Sequence, residues 1–179
     1  MKNLLPLCGL IGIFLSGYAH AALFLNSNGD DSGLQNYQYI FEQAFDGKLT
    51  IGMSNVADSM MTPELSLSSF NGLLDSQGDI ALVSATQSSN LYSNEFGQLG
   101  STGDWLQLDL NAMIGDSFGF NWRFITDDYA PFNDFAFIRL EGSQLDSYQV
   151  LAQIPEPNSM LLILLGVSAL LWFRRPRSV

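Results

Sequence analysis

Ser117-Phe118-Gly119-Phe120-Asn121-Trp122-Arg123-Phe124 alternates small or polar residues with bulky aromatics without a break. Successive side chains of a β-strand point to opposite faces, so a strict period of two predicts a strand with one face in a core and the other toward water. Working outward, the same period returns at Tyr37, Tyr39 and Phe41, at Leu49, Ile51 and Met53, and at Leu106, Leu108 and Leu110. Residues 80–83 and 135–140 are apolar on both faces, the pattern of strands buried on both sides. Clusters of Gly, Asn, Asp and Ser at 26–33, 54–61, 84–94 and 97–104 punctuate these runs as turns. Outside the two apolar ends no stretch holds a helical period. The expected fold is all-β, an antiparallel β-sandwich of the jelly-roll kind over residues 22–153 as a single domain.

The ends are read separately. Met1-Lys2-Asn3, an apolar run from Leu4 to Leu15, and Ala19-His20-Ala21 make up a basic start, a hydrophobic stretch and an Ala-x-Ala cleavage site. Residues 1–21 are therefore expected to be a signal peptide, with Ala19 and Ala21 at the cleavage site and Ala22 as the mature N-terminus. Cleavage removes the single Cys (Cys8) and the single His (His20). A mature domain without thiol or imidazole excludes Ser-His-Asp and Cys-His catalysis and a conventional zinc site. Between residues 22 and 153, three basic residues (Lys48, Arg123, Arg139) face 17 acidic ones, a net charge of −14 against −11 for the whole chain. Such a surface does not neutralise phosphates, so nucleic acid is not an expected partner.

At the other end, Ile154 leads into Pro155-Glu156-Pro157, then an almost wholly apolar run from Met160 to Phe173, then Arg174, Arg175 and Arg177. Two prolines break regular structure and predict a stiff, accessible linker. The apolar run predicts a single transmembrane helix, short for a hydrocarbon core of roughly 30 Å. The arginines after it stop transfer and orient the domain out of the cytoplasm. This order of proline motif, apolar helix and arginine cluster resembles the PEP-CTERM sorting signal of Gram-negative bacteria. The resemblance implies that residues 154–179 are a tail recognised by an exosortase and cut at or beside Pro155–Pro157. Arg174, Arg175 and Arg177 would hold it in the inner membrane beforehand, with release or attachment to the cell envelope or extracellular matrix afterwards.

The segment from Gly115 to Tyr129, followed by Phe132-Asn133-Asp134-Phe135-Ala136-Phe137, also resembles the β-sandwich ectodomains of PEP-CTERM and choice-of-anchor bacterial surface proteins. That likeness implies a fold and a surface location, with no catalytic residues to carry over. Within it, Asp127, Asp128, Asn133 and Asp134 form the densest polar group of the chain. Calcium takes six to eight hard oxygens and needs no His or Cys, so these four side chains are a candidate calcium site. The plainer reading is a solvated acidic loop with local turn bonds. Residues 26–33 imitate the start of an EF-hand loop, but Tyr39 stands where the bidentate Glu belongs, which points to a flexible mature N-terminus.

Three functions fit these features. The first is a non-catalytic structural or adhesive envelope protein, with exopolysaccharide as a candidate partner. The second is a calcium-dependent carbohydrate-binding module, for which Trp105 and Tyr129 are candidate stacking platforms and Trp122 is assigned to the core. The third is a carboxylate-based glycoside hydrolase, which needs two facing carboxylates; Glu42, Glu64, Glu95 and Glu141 are scattered with no motif around them. No enzyme activity is expected.

Overall fold

The aromatic repeat sits in the middle of one of two packed sheets. The computed structural model describes residues 22–25, 30–56, 63–83, 85–128, 132–155 and 165–168. In chain order the strands are β1 (Leu23–Phe24), β2 (Asp30–Asp31), β3 (Gln35–Ile40), β4 (Phe45–Ser54), β5 (Glu64–Gly72), β6 (Ile80–Leu82), β7 (Gln87–Ser88), β8 (Thr102–Ala112), β9 (Ser117–Thr126), β10 (Phe135–Gly142) and β11 (Asp146–Gln153). One sheet runs β1-β11-β10-β4-β8-β7. The other runs β2-β9-β5-β6, with β3 beside β2 along the same edge of β9. Every pairing is antiparallel except β1 with β11.

The chain crosses between sheets at β1–β2, β3–β4, β4–β5, β6–β7, β8–β9 and β9–β10, the winding of a two-sheet β-sandwich. The strand beside β10, however, is its hairpin partner β11, so the C-terminal strand lies inside its sheet with only β1 beyond it.

Phe118, Phe120 and Phe124 are fully enclosed and Trp122 nearly so. They face Tyr37 and Phe41, Leu65 and Leu67, and from the opposite sheet Leu49, Ile51, Met53, Ile138 and Leu140. Ring packing is dense: Phe118 lies 5.6 Å from Tyr39, 5.9 Å from Phe41 and 6.1 Å from Tyr37, centroid to centroid. Burial pushes the Tyr37 hydroxyl's pKa well above the usual phenol value. β5 carries a bulge between Ser68 and Asn71, where Ser69 takes a left-handed φ of 53°. The strand closes at Gly72 (φ 63°), where a Cβ would stand 2.1 Å from the Ser117 carbonyl oxygen and only glycine fits.

β10 is apolar on both faces for a specific reason. Its outer face is covered by the segment between β7 and β8, whose Tyr92 stacks on Phe137 at 4.1 Å and meets Trp105 edge-on at 5.7 Å. Phe135, Phe137, Val150, Ala22, Val56 and Tyr92 form this second small core, with Trp105 packed against it. Burial raises the Tyr92 hydroxyl's pKa.

Two readings of the sequence change. Ile80 to Val83 is not a strand buried on both faces but a short edge strand, with Ala81 and Val83 exposed. The segment expected to be a flexible N-terminus is not a free arm over its described residues, since Leu23–Phe24 and Asp30–Asp31 are paired into the two sheets. Asp31 anchors β2 by a two-point pair with the Arg123 guanidinium, Nε to Oδ1 at 2.9 Å and Nη2 to Oδ2, and also accepts from the Gly33 N–H. These bonds hold its carboxyl at about 2, below the usual carboxylate range. Arg139 is likewise set against Asp146 and Glu141, and Lys48 stands in register between Asp109 and Glu141.

Candidate functional site

Most of the buried polar residues among those described gather at one end of the sandwich, where β4 ends, β8 and β10 begin, and β11 delivers the chain to Pro155. Ser54, Asn55, Ser89, Asn94, Thr126, Asp128, Asn133, Asp134 and Gln153 are all buried there. Buried polar groups hold their place by hydrogen bonds, and here the bonds tie separate elements together. Thr126 Oγ1 donates to Asp134 Oδ2 at 2.9 Å and accepts from the Asp128 N–H at 3.1 Å. Asn133 turns the other way and donates to Gln98 Oε1 at 2.8 Å.

Residues 94–98 are organised around Asn94. Its Oδ1 accepts from the N–H groups of Phe96 and Gln98, both at 3.0 Å, and its Nδ2 donates to Gln98 Oε1 at 2.7 Å. The loop then reaches β11, where the Glu95 N–H donates to Gln153 Oε1 at 3.0 Å. Ser54 and Ser89 share a 2.6 Å hydroxyl bond beneath it.

The four candidate calcium ligands do not behave as one group. Asp127 is exposed, Asp128 and Asp134 converge on Thr126, and Asn133 faces the 94–98 loop. A solvated loop is ruled out for three of them, because Asp128 is 2% exposed and Asn133 and Asp134 are completely buried. Asn133 Oδ1 and Asn55 Oδ1 are enclosed without a hydrogen-bond donor among the described residues. No group of three or more His, Cys, Asp or Glu is arranged to hold a metal ion among the described residues.

Thr126, Asn94, Gln98 and Gln153 carry this end, and the alternation and charge patterns did not single them out. Gln153 offered one cue, a polar residue wedged between Ala152 and Ile154 in an apolar strand end.

Trp105 is half-buried against Tyr92 rather than free as a stacking platform, and Tyr129 lies outside the described residues. Glu42, Glu64, Glu95 and Glu141 are all exposed, on separate strands and loops.

Of the sorting motif, Pro155 is half-buried at the end of β11. Glu156, Pro157, Arg174, Arg175 and Arg177 lie outside the described residues, as do Ala19, Ala21 and the rest of the signal segment. Helix occurs among the described residues only at 165–168, and none of those residues' helices is long and apolar enough to cross a membrane.

An antiparallel β-sandwich that ends directly on a Pro-Glu-Pro motif defines a class, the exported domain carrying a C-terminal address. Residues 153–175 match the family model of the PEP-CTERM protein-sorting motif, so the chain carries the signal of an exosortase substrate. Comparison with curated proteins and with solved structures finds no match for the chain.

Proposed function

We propose that the mature domain is a non-catalytic structural or adhesive component of the cell envelope or extracellular matrix, delivered there by exosortase processing at Pro155, Glu156 and Pro157. The sorting motif placed directly at the end of β11 carries this reading. The apolar segment and Arg174, Arg175 and Arg177 hold the tail in the inner membrane until it is cut. The acidic surface keeps the released domain soluble and attracts cations, and exopolysaccharide is the candidate neighbour. The likeness to choice-of-anchor ectodomains supports a surface location.

The test is the mass of the C-terminus in cells with and without the exosortase. The wild-type chain should lose its end near Pro155–Pro157 only when the enzyme is present. Replacing Pro155, Glu156 and Pro157 together by Ala should leave the tail intact. A wild-type protein still ending at Val179 in exosortase-positive cells would overturn the proposal.

A calcium-dependent module is the second reading, favoured by Asn133 Oδ1, a carbonyl-type oxygen enclosed beside Asp134 with no donor among the described residues. Hard oxygens in that state suit calcium. An ion at about 100 times its Kd adds about 2.7 kcal/mol, so millimolar calcium should raise the melting temperature of the processed protein by roughly 5–10 °C and EDTA should reverse it. Asp134→Ala should abolish the response. Identical melting with calcium and with EDTA would eliminate the site.

A further inference from the structure

The sorting motif begins with no slack behind it. The β10–β11 ladder runs to Gln153, opposite Phe135. The Gln153 carbonyl accepts from the Leu25 N–H at 2.9 Å, and its side-chain oxygen from the Glu95 N–H at 3.0 Å. The Ile154 N–H donates to the Asp134 carbonyl at 3.3 Å, and the Ile154 side chain is completely enclosed. Pro155 follows at once. The N-terminal strand, the 94–98 loop and the start of β10 therefore all grip the two residues before the motif.

We propose that this closed end of β11 is a latch on the sorting motif, so that the folded domain itself limits how fast the tail is cut. The inference rests on the reading that an exosortase cuts at or beside Pro155–Pro157. A peptidase takes its substrate as an extended strand, using main-chain groups on both sides of the bond to be cut. At Gln153 and Ile154 those groups already serve the sandwich. Productive docking then requires the last residues of β11 to open, and cleavage follows the open fraction when opening and closing are fast. Gln153 and Ile154 act as positioning residues: through their bonds to the sandwich they set how much of the motif is free. A domain not yet folded presents the same motif unlatched.

The experiment compares processing rates of the full chain in exosortase-positive cells by pulse-chase, reading the C-terminus by mass. A six-residue Gly-Ser insert between Ile154 and Pro155 leaves every strand intact and moves the motif clear of the latch. It should be cut about tenfold faster or more, the factor expected from releasing one buried isoleucine side chain. The same insert in the β10–β11 turn at Ser143 should be cut at the wild-type rate. Ile154→Ala should be cut faster than wild type, with the melting temperature measured alongside to separate local opening from global unfolding. An insert after Ile154 cut no faster than wild type, while the Pro155, Glu156 and Pro157 triple Ala variant stays uncut, would overturn the latch alone. Cutting of that triple variant at the wild-type rate would overturn both the latch and the sorting reading.

Discussion

Gly52→Ala should destabilise the sandwich by about 3 kcal/mol or more, and Gly52→Val should prevent folding altogether. Gly52 lies in β4, a central strand, on the face that looks into the small outer core. A Cβ there would stand 2.6 Å from Trp105 Cβ, 2.8 Å from the Phe137 ring and 2.9 Å from the Asp104 carbonyl oxygen. Two of these neighbours are close to the backbone and cannot swing aside, so β8 itself would have to move. Overpacking a core costs about 1–3 kcal/mol when side chains adjust, and more when the backbone must. For a domain of this size that is roughly a 10 °C fall in melting temperature. Gly78→Ala is the control, since nothing lies within 4 Å of a Cβ there. If the two alanine variants melted together, the close packing of Trp105 and Phe137 over β4 would be wrong.

Phe118→Ala is the second large effect, with an expected loss of about 3–5 kcal/mol. Phe118 is fully buried and touches the rings of Tyr37, Tyr39, Phe41 and Phe120. Its removal leaves a hole among rigid rings that do not collapse to fill it. Phe118→Leu should cost much less, about 1.5 kcal/mol or below, because the volume is largely kept. Denaturant unfolding is the measurement: the midpoint should drop while the slope holds, the sign that stability and not the unfolded state has changed. A Phe118→Ala midpoint equal to that of Phe118→Leu would place this ring outside the core.

Both predictions begin from residues whose meaning differs in how well the sequence exposes it. Phe118 belongs to an alternation that declares a strand and its buried face together, and β3, β4 and β10 were equally legible. Gly52 looks like any strand glycine until the partner strand brings Trp105 over it, because register is a property of two distant segments. β6 misled for a related reason. Ile80 to Val83 is apolar throughout, but an edge position decides exposure, and edges are set by topology.

At the polar end the sequence revealed which residues are rich in oxygen and concealed which would be buried. Asp127 and Asp128 are neighbours in the same acidic run, yet one faces water and the other lies under the surface. Thr126 ties this segment together by bonding the Asp128 N–H and the Asp134 carboxylate at once. Nothing in a linear pattern assigns a threonine that role. The sorting motif was the opposite case, since residues 153–175 match a family model on their linear order alone.

The parallel pairing of β1 with β11 bears on the order of events during export. A chain that crosses a membrane from its N-terminus delivers Leu23 and Phe24 first and their partners Ala152 and Gln153 last. The first strand to arrive must therefore wait for nearly the whole domain before it finds its place. Until then the small outer core lacks Ala22 and Val150, and its sheet has an open edge. In an exported chain that pairing is therefore among the last to form, made only once the residues just ahead of Pro155 have arrived.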